Sequence, residues 1–240
     1  LVVCIISSGS GSNRVLILTG GYDADNEDLA LPAAGDSKGR AIFAVDATTG
    51  VLETGLNFNH NTNGDMDYCI VELIAFDHQA NGIDDTIYAG DLGGNLFAFS
   101  DRDENGSWTK TLLFQARSDA AGTTNSLLKF FTAPDVAMET FGDYVYIGTG
   151  DRAHPAETST VDRIYAIKNS WVSPWTTLTE ADLVDVTSYS YTATTYTNLE
   201  TGNGWYIKLN ERSGEKVMSS TLVFNKIVFL TTYAPEPSDA

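Results

Sequence analysis

Short apolar runs, many of them alternating with polar residues, recur along the whole chain and are separated by turns rich in Gly, Asp and Asn. That alternation predicts half-buried strands joined by tight turns. Four runs end alike, in small residues and often Gly: 15–20, 86–91, 145–151 and 227–232. After three of them, across a loop, comes a second matching run, at 41–46, 96–100 and 163–168. Each first-type run is also preceded by an apolar stretch, at 2–7, 69–76, 130–138 and 217–224, and a fourth strand such as 108–114 closes some units.

A unit of four strands repeated along one chain predicts an all-β fold, specifically a β-propeller in which each unit is a blade. An irregular β-sandwich would also show many short strands, but it would not repeat their endings. About three and a half blades are present, fewer than the roughly four to eight that close a ring. Residues 1–240 are therefore expected to form part of a propeller completed by sequence upstream. The chain begins inside an apolar run without an initiator Met, as a segment of a longer protein would. Residues 172–203 fit no blade strand and are expected to be an insert. Within it, 174–183 predicts a turn and a short helix capped by Thr179, and 188–196, carrying Tyr189, Tyr191 and Tyr196, predicts an ordinary strand.

One loop carries candidate chemistry. Asp77, Gln79, Asn81, Ile83 and Asp85 place oxygen donors at positions 1, 3, 5, 7 and 9, Ile83 through its backbone carbonyl, with Gly82 at the sixth. Hard oxygens in that spacing suit Ca2+, and the glycine permits the sharp turn. A helix-hand loop would need a glutamate at position 12, where Tyr88 stands. Instead 86–89 reads as a strand, Gly93, Gly94 and Asn95 as a turn, and 96–99 as the returning strand. An ion loop at the head of a β-hairpin is the expectation. With Gln79 where a carboxylate would be usual, the affinity expected is about 10⁻⁴–10⁻³ M or somewhat tighter.

Composition narrows the partners. A formal charge of −18 argues against nucleic acid and anionic membrane surfaces. No apolar window approaches the ~18 residues of a membrane helix. Cys4 and Cys69 occupy equivalent strands of successive units, so either a disulfide or two buried thiols is compatible with the sequence. The acidic run Asp23, Asp25, Asn26, Glu27 and Asp28 has no glycine at a turn position. It reads as a solvated loop rather than a second ion site, with 29–38 as a mobile continuation.

Catalytic signals are weak. His60, His78 and His154 lie in separate loops without metal-ligand spacing and read as surface residues, and His78 sits at an even loop position that should point away from an ion. No nucleophile elbow or phosphate loop is present. Asp65 and Asp67 are too ordinary a pair to suggest glycoside chemistry. Residues 44–50 resemble the docking motif of quinoprotein propellers, but Thr54 stands where that motif's tryptophan would pack, leaving a tight turn between outer strands.

Taken in order, several motifs resemble the C-terminal propeller of the PilY family of type IV pilus tip-associated adhesins. They are the loop from Asp77 to Asp85, Tyr88 to Phe99 (YAGDLGGNLFAF), Thr132-Ala133-Pro134, Ile147-Gly148-Thr149-Gly150, Gly204 to Leu209 (GWYIKL), and Gly214-Glu215-Lys216-Val217. The resemblance implies a non-enzymatic, extracellular protein of the pilus tip, exported through the periplasm. Its implied partners are minor pilins and a host or abiotic surface receptor, its implied cofactor Ca2+ on the loop, and its implied roles pilus assembly, retraction control and attachment. The alternative reading is a periplasmic quinoprotein-type dehydrogenase using pyrroloquinoline quinone.

Overall fold

The computed structural model describes residues 1–7, 11–28, 35–116, 128–139, 142–171, 175–188 and 192–236. The first sheet is an antiparallel meander of β1 (Val2–Ser7), β2 (Ser12–Thr19), β3 (Ala41–Asp46) and β4 (Leu52–Asn59), with one helical turn, α1 (Ala24–Glu27), between β2 and β3. The second runs β5 (Ile70–Phe76), β6 (Thr86–Asp91), β7 (Asn95–Ser100) and β8 (Thr109–Gln115). The third begins β9 (Asp135–Glu139), β10 (Gly142–Gly148) and β11 (Arg163–Asn169). β12 (Leu178–Thr179) then adds a parallel edge to β8, and β13 (Val184–Asp185) does the same to β14 (Gly204–Lys208), the strand beside β11. Helix α2 (Ala193–Thr201) lies between β13 and β14. The chain continues through β15 (Lys216–Val217), a hairpin of β16 (Leu222–Phe224) and β17 (Ile227–Phe229), and β18 (Thr232–Tyr233), which pairs with β15. The fold is all-β and built of blades. Among the described residues, no ladder joins the first sheet to the last.

The central blade shows how the pattern folds. Every residue of β6 is buried, because its two faces go to different cores. Ile87 and Ala89, with Phe97 and Phe99 of β7, pack on Ile17, Ile42 and Leu56 of the first sheet. Tyr88, Leu96 and Ala98 turn the other way, onto Val145, Ile147 and Tyr165 of the third. Side chains of successive strand residues alternate between faces, so a strand flanked by blades on both sides contributes to two cores at once. Burying each such aromatic contributes about 1.5–3 kcal/mol.

The repeated strand endings have a steric cause. A methyl group on Gly90 would sit 2.4 Å from the Phe130 Cβ, and one on Gly148 would sit 2.4 Å from the Val217 side chain. At both places the chain entering the next blade lies against bare backbone. It is stitched there by Phe130 N to Asp91 O at 3.1 Å and Val217 N to Thr149 O at 2.9 Å. Within the YAGDLGGN motif, buried Asp91 closes the β6–β7 turn by accepting from Gly93 N, Asn95 N and Asn95 Nδ2. The fully buried Lys216 spends its ammonium on the carbonyls of Pro155, Glu157 and Gly214, at 3.0, 2.7 and 2.9 Å.

Several expectations need correction. The 217–224 stretch is not one strand: β15 and β16 are separated, and the third blade's first strand starts at Asp135 and not at 130. The predicted strand over 188–196 is wrong in its later part, where Tyr196 belongs to α2. Thr192 caps that helix by accepting from Thr195 N, while Tyr189 and Tyr191 lie outside the described residues. The helix predicted within 174–183 is a single 3-10 turn over Glu180–Asp182, and Thr179 does precede it. Cys4 and Cys69 are both free and buried. Cys4 packs in the core between the first two sheets, and Cys69 Sγ donates to Lys38 O at 3.4 Å. Residues 47–49 form the expected turn between β3 and β4, closed by Asp46 Oδ1 accepting from Thr48 N and Thr49 N.

Candidate functional site

The loop between β5 and β6 is folded by its own oxygens. Asp77 Oδ2 accepts from Gly82 N at 2.5 Å, Asn81 Oδ1 accepts from Ile83 N at 3.0 Å, and Asp85 N returns to Phe76 O at 3.2 Å. Ala80 and Gly82 turn the chain at φ 56° and 90°, the left-handed region that glycine enters without steric cost. Asp85, 1% exposed, accepts from His78 N and Thr86 Oγ1 through Oδ1 alone. Its Oδ2, and the Oδ1 of Asp77, are buried without a hydrogen-bond partner. A buried acceptor left unpaired costs about 1–3 kcal/mol. One free carboxylate oxygen from each end of the loop fits a hard divalent cation, for which the amides of Gln79 and Asn81 and the carbonyl of Ile83 would be further oxygens of the same class. Among the described residues no three His, Cys, Asp or Glu side chains are placed to hold a metal. A cation here would therefore depend on amide and carbonyl oxygens beside the two carboxylates.

The loop is tied to the first, second and third sheets. Toward the first, Asp84 N donates to Ile5 O at 2.6 Å and the Asp84 carboxylate accepts from Ile5 N at 3.0 Å. Burial pushes the Asp84 carboxyl above its ordinary value, and the charges of Asp77 and Asp85 push it the same way. Toward its own blade, Gln79 Nε2 donates to Arg102 O at 2.7 Å and to Glu104 Oε1 at 2.9 Å, and Asn81 Nδ2 donates to the same Glu104 oxygen. Toward the third, His78 Nδ1 faces the buried Asp143 Oδ1 at 3.3 Å. Asp143 Oδ2 accepts from Tyr88 OH and Trp171 Nε1, both at 3.0 Å. Burial raises the Asp143 carboxyl, with His78 opposing.

The histidines are not free surface residues. His60 faces Asp67 at 3.1 Å and His154 faces Asp151 at 3.0 Å, each partly buried. The acidic run also departs from its expected solvated state: Asp23 and Glu27 are fully buried. Asp23 Oδ2 accepts from Ser37 N, Ser37 Oγ and Lys38 N, and the Ser37 hydroxyl leads in holding its carboxyl low. Glu27 meets the buried Lys129 at 2.7 Å, and Lys129 meets Asp151 at 2.8 Å, so the first and third blades share one ammonium. Burial pushes Glu27 up to about 8 against the pull of Lys129. The available sequence signal was position, since these acids follow a strand ending just as Asp91 and Asp151 do. Of the stretch expected to be mobile, Asp36 is buried and accepts from Cys69 N and Asn26 Nδ2, while 29–34 lie outside the described residues.

No family model matches the chain. It is 29% identical over 175 residues to a type IV pilus biogenesis factor PilY1 homolog from Xylella fastidiosa (strain Temecula1 / ATCC 700964), a match covering 67% of this chain and 14% of that protein. Its fold matches the crystal structure of the Pseudomonas aeruginosa PilY1 C-terminal domain with a TM-score of 0.67 and 18% identity, over 97% of this chain and 55% of that one. Blades stacked in chain order thus give a propeller-type all-β fold like that of the PilY1 C-terminal domain. Both comparisons find likeness to PilY1 proteins, of which the chain spans only part.

Proposed function

We propose that the chain is the calcium-binding propeller segment of a type IV pilus-associated surface protein, not an enzyme, and that Ca2+ sits on Asp77, Gln79, Asn81, Asp85 and the Ile83 carbonyl. The observation that carries the calcium site is the pair of buried, unpartnered carboxylate oxygens at the two ends of the loop. The pilus role rests on the likeness to the Xylella PilY1 homolog, whose name describes a pilus biogenesis factor. Pilus assembly, retraction control and surface attachment, an extracellular place at the pilus tip, and minor pilins and a surface receptor as partners, follow as parts of the same proposal. None of the described helices is long and apolar enough to cross a membrane.

A further partner is the rest of the protein's own propeller. Leu1, Val3 and Leu52 on the outer face of the first sheet are 75, 63 and 42% exposed, and Leu222, Phe224, Ile227 and Phe229 share an exposed face of the β16–β17 hairpin. These are the kinds of sheet face that the inner blades bury against one another.

Calorimetric titration of calcium into the wild-type chain and Asp85→Ala tests the site. One ion per wild-type chain, lost in the variant, is the expected result. Unchanged binding in Asp85→Ala would move the ion elsewhere, and no binding at millimolar calcium would remove the calcium reading.

A further inference from the structure

The geometry points to Glu104, outside the loop, as the positioning residue that makes Gln79 and Asn81 serviceable calcium ligands; this rests on the calcium reading above. One carboxylate oxygen of Glu104 receives the amide nitrogens of both residues. In a planar primary amide, anchoring the nitrogen fixes where the oxygen points, on the other side of the carbonyl carbon. Asn81 shows the result, since its Oδ1 is turned back into the loop and accepts from Ile83 N. Gln79, held by Glu104 and by the Arg102 carbonyl, has both amide hydrogens engaged on the side away from its oxygen.

Glu104 is itself held firmly. It lies in the β7–β8 turn at φ 50°, with its N donating to Asp101 O at 2.8 Å and its O accepting from Ser7 Oγ. Buried Asp101 braces the turn by accepting from Asn105 N and Gly106 N, and its own N donates to Asp85 O at 2.9 Å. The turn and the ion loop are thus one hydrogen-bonded unit.

This arrangement explains the unusual glutamine. A carboxylate at position 79 would face the Glu104 carboxylate and the Arg102 carbonyl, three acceptors without a proton among them. A negative charge stands outside the loop at Glu104, and an amide is the group that fits between it and the ion. Supporting groups of this kind commonly change metal affinity by about 10–100-fold.

The test is calcium titration by calorimetry on wild type, Glu104→Ala, Glu104→Gln, Gln79→Glu and the double variant Gln79→Glu/Glu104→Gln, with thermal midpoints in chelator as a measure of folding. Glu104→Ala is expected to weaken binding by about 10–100-fold while its midpoint in chelator moves little. Glu104→Gln, whose amide oxygen still accepts, is expected to recover most of that loss. Gln79→Glu is expected to weaken binding alone, and to bind at least as well as wild type once Glu104→Gln is added. Unchanged affinity in Glu104→Ala with normal wild-type binding overturns the role of Glu104 and leaves the calcium site standing. Failure of Glu104→Gln to recover any affinity also overturns positioning, in favour of charge alone. If wild type binds no calcium, both readings fall.

Discussion

Asp84 and Ile5 exchange two hydrogen bonds: the Asp84 amide donates to the Ile5 carbonyl, and the Ile5 amide donates to the Asp84 carboxylate. A residue of the candidate ion loop therefore holds the edge strand of the preceding blade, much as one more rung of a ladder would. Asp84→Ala removes the charged acceptor and leaves an edge-strand amide to water. It is expected to cost about 1–2 kcal/mol in chemical denaturation, since hydrogen bonds to charged groups sit at the upper end of the usual range.

Calcium should stabilise the fold through the same loop. A ligand that binds only the native state at a hundred times its Kd adds about 2.7 kcal/mol. The melting temperature should rise with calcium in wild type, return to baseline with a chelator, and stay flat in Asp85→Ala. A wild-type melting temperature indifferent to calcium would count against the site.

The buried Glu27 gives stability a pH dependence with a definite sign. Its folded pKa, pushed up to about 8 by burial, exceeds the ordinary 4.5, so the native state binds that proton more tightly than the unfolded chain. Its contribution is greatest below about pH 4.5 and is lost as the pH rises toward 8, at no more than about 1.4 kcal/mol per pH unit. The groups facing it are Lys129 and, close by, Asp36, while Asp151 shares the ammonium. Asp91 and Asp162, raised by burial to about 7 and about 6, slope the same way. Subtracting the Glu27→Gln stability curve from that of wild type should isolate the Glu27 part; a flat difference between pH 5 and 8 would contradict the assignment.

Gly90→Ala drives a methyl group into Phe130, and Gly148→Ala drives one into Val217. Each should destabilise by about 1–3 kcal/mol, the usual cost of overpacking, or by more if the incoming strand cannot yield. Gly64→Ala is a suitable control because its added methyl would meet nothing within 4 Å, and its stability should match wild type closely.

The strands were legible in the sequence because their endings are functional in packing. Gly90 and Gly148 recur where the next blade passes over bare backbone, and the alternation of Val15 and Ile17 or Val145 and Ile147 shows directly which face is buried. The loop from Asp77 to Asp85 was legible as a spacing of oxygens. Its bracing by Glu104, Ile5 and Asp143 was not, because those partners come from distant parts of the chain. The short helix over Ala193–Thr201 was missed because its Thr and Tyr content favours strands, whereas the Thr192 cap and local context prevail. The burial of Asp23 and Glu27 was missed for a related reason. A charge run normally signals solvent, and its countercharge, Lys129, lies about a hundred residues on.

The ammonium of Lys129 joins blades that are not neighbours. In a row of repeats touching only their neighbours, either end can unzip alone, and unfolding spreads out over a range of conditions. Here Glu27 in the first blade and Asp151 in the third grip one cation. His154 Nε2 lies 3.3 Å from the carbonyl of Asp28, and the rings of Tyr22 and Phe131 meet at 6.0 Å. The first and third sheets are thereby strapped together, and losing the first leaves the buried Lys129 with Asp151 alone. Sheets bound in this way should melt as one cooperative unit, with the sharpness of a single domain rather than the graded fraying of a stack.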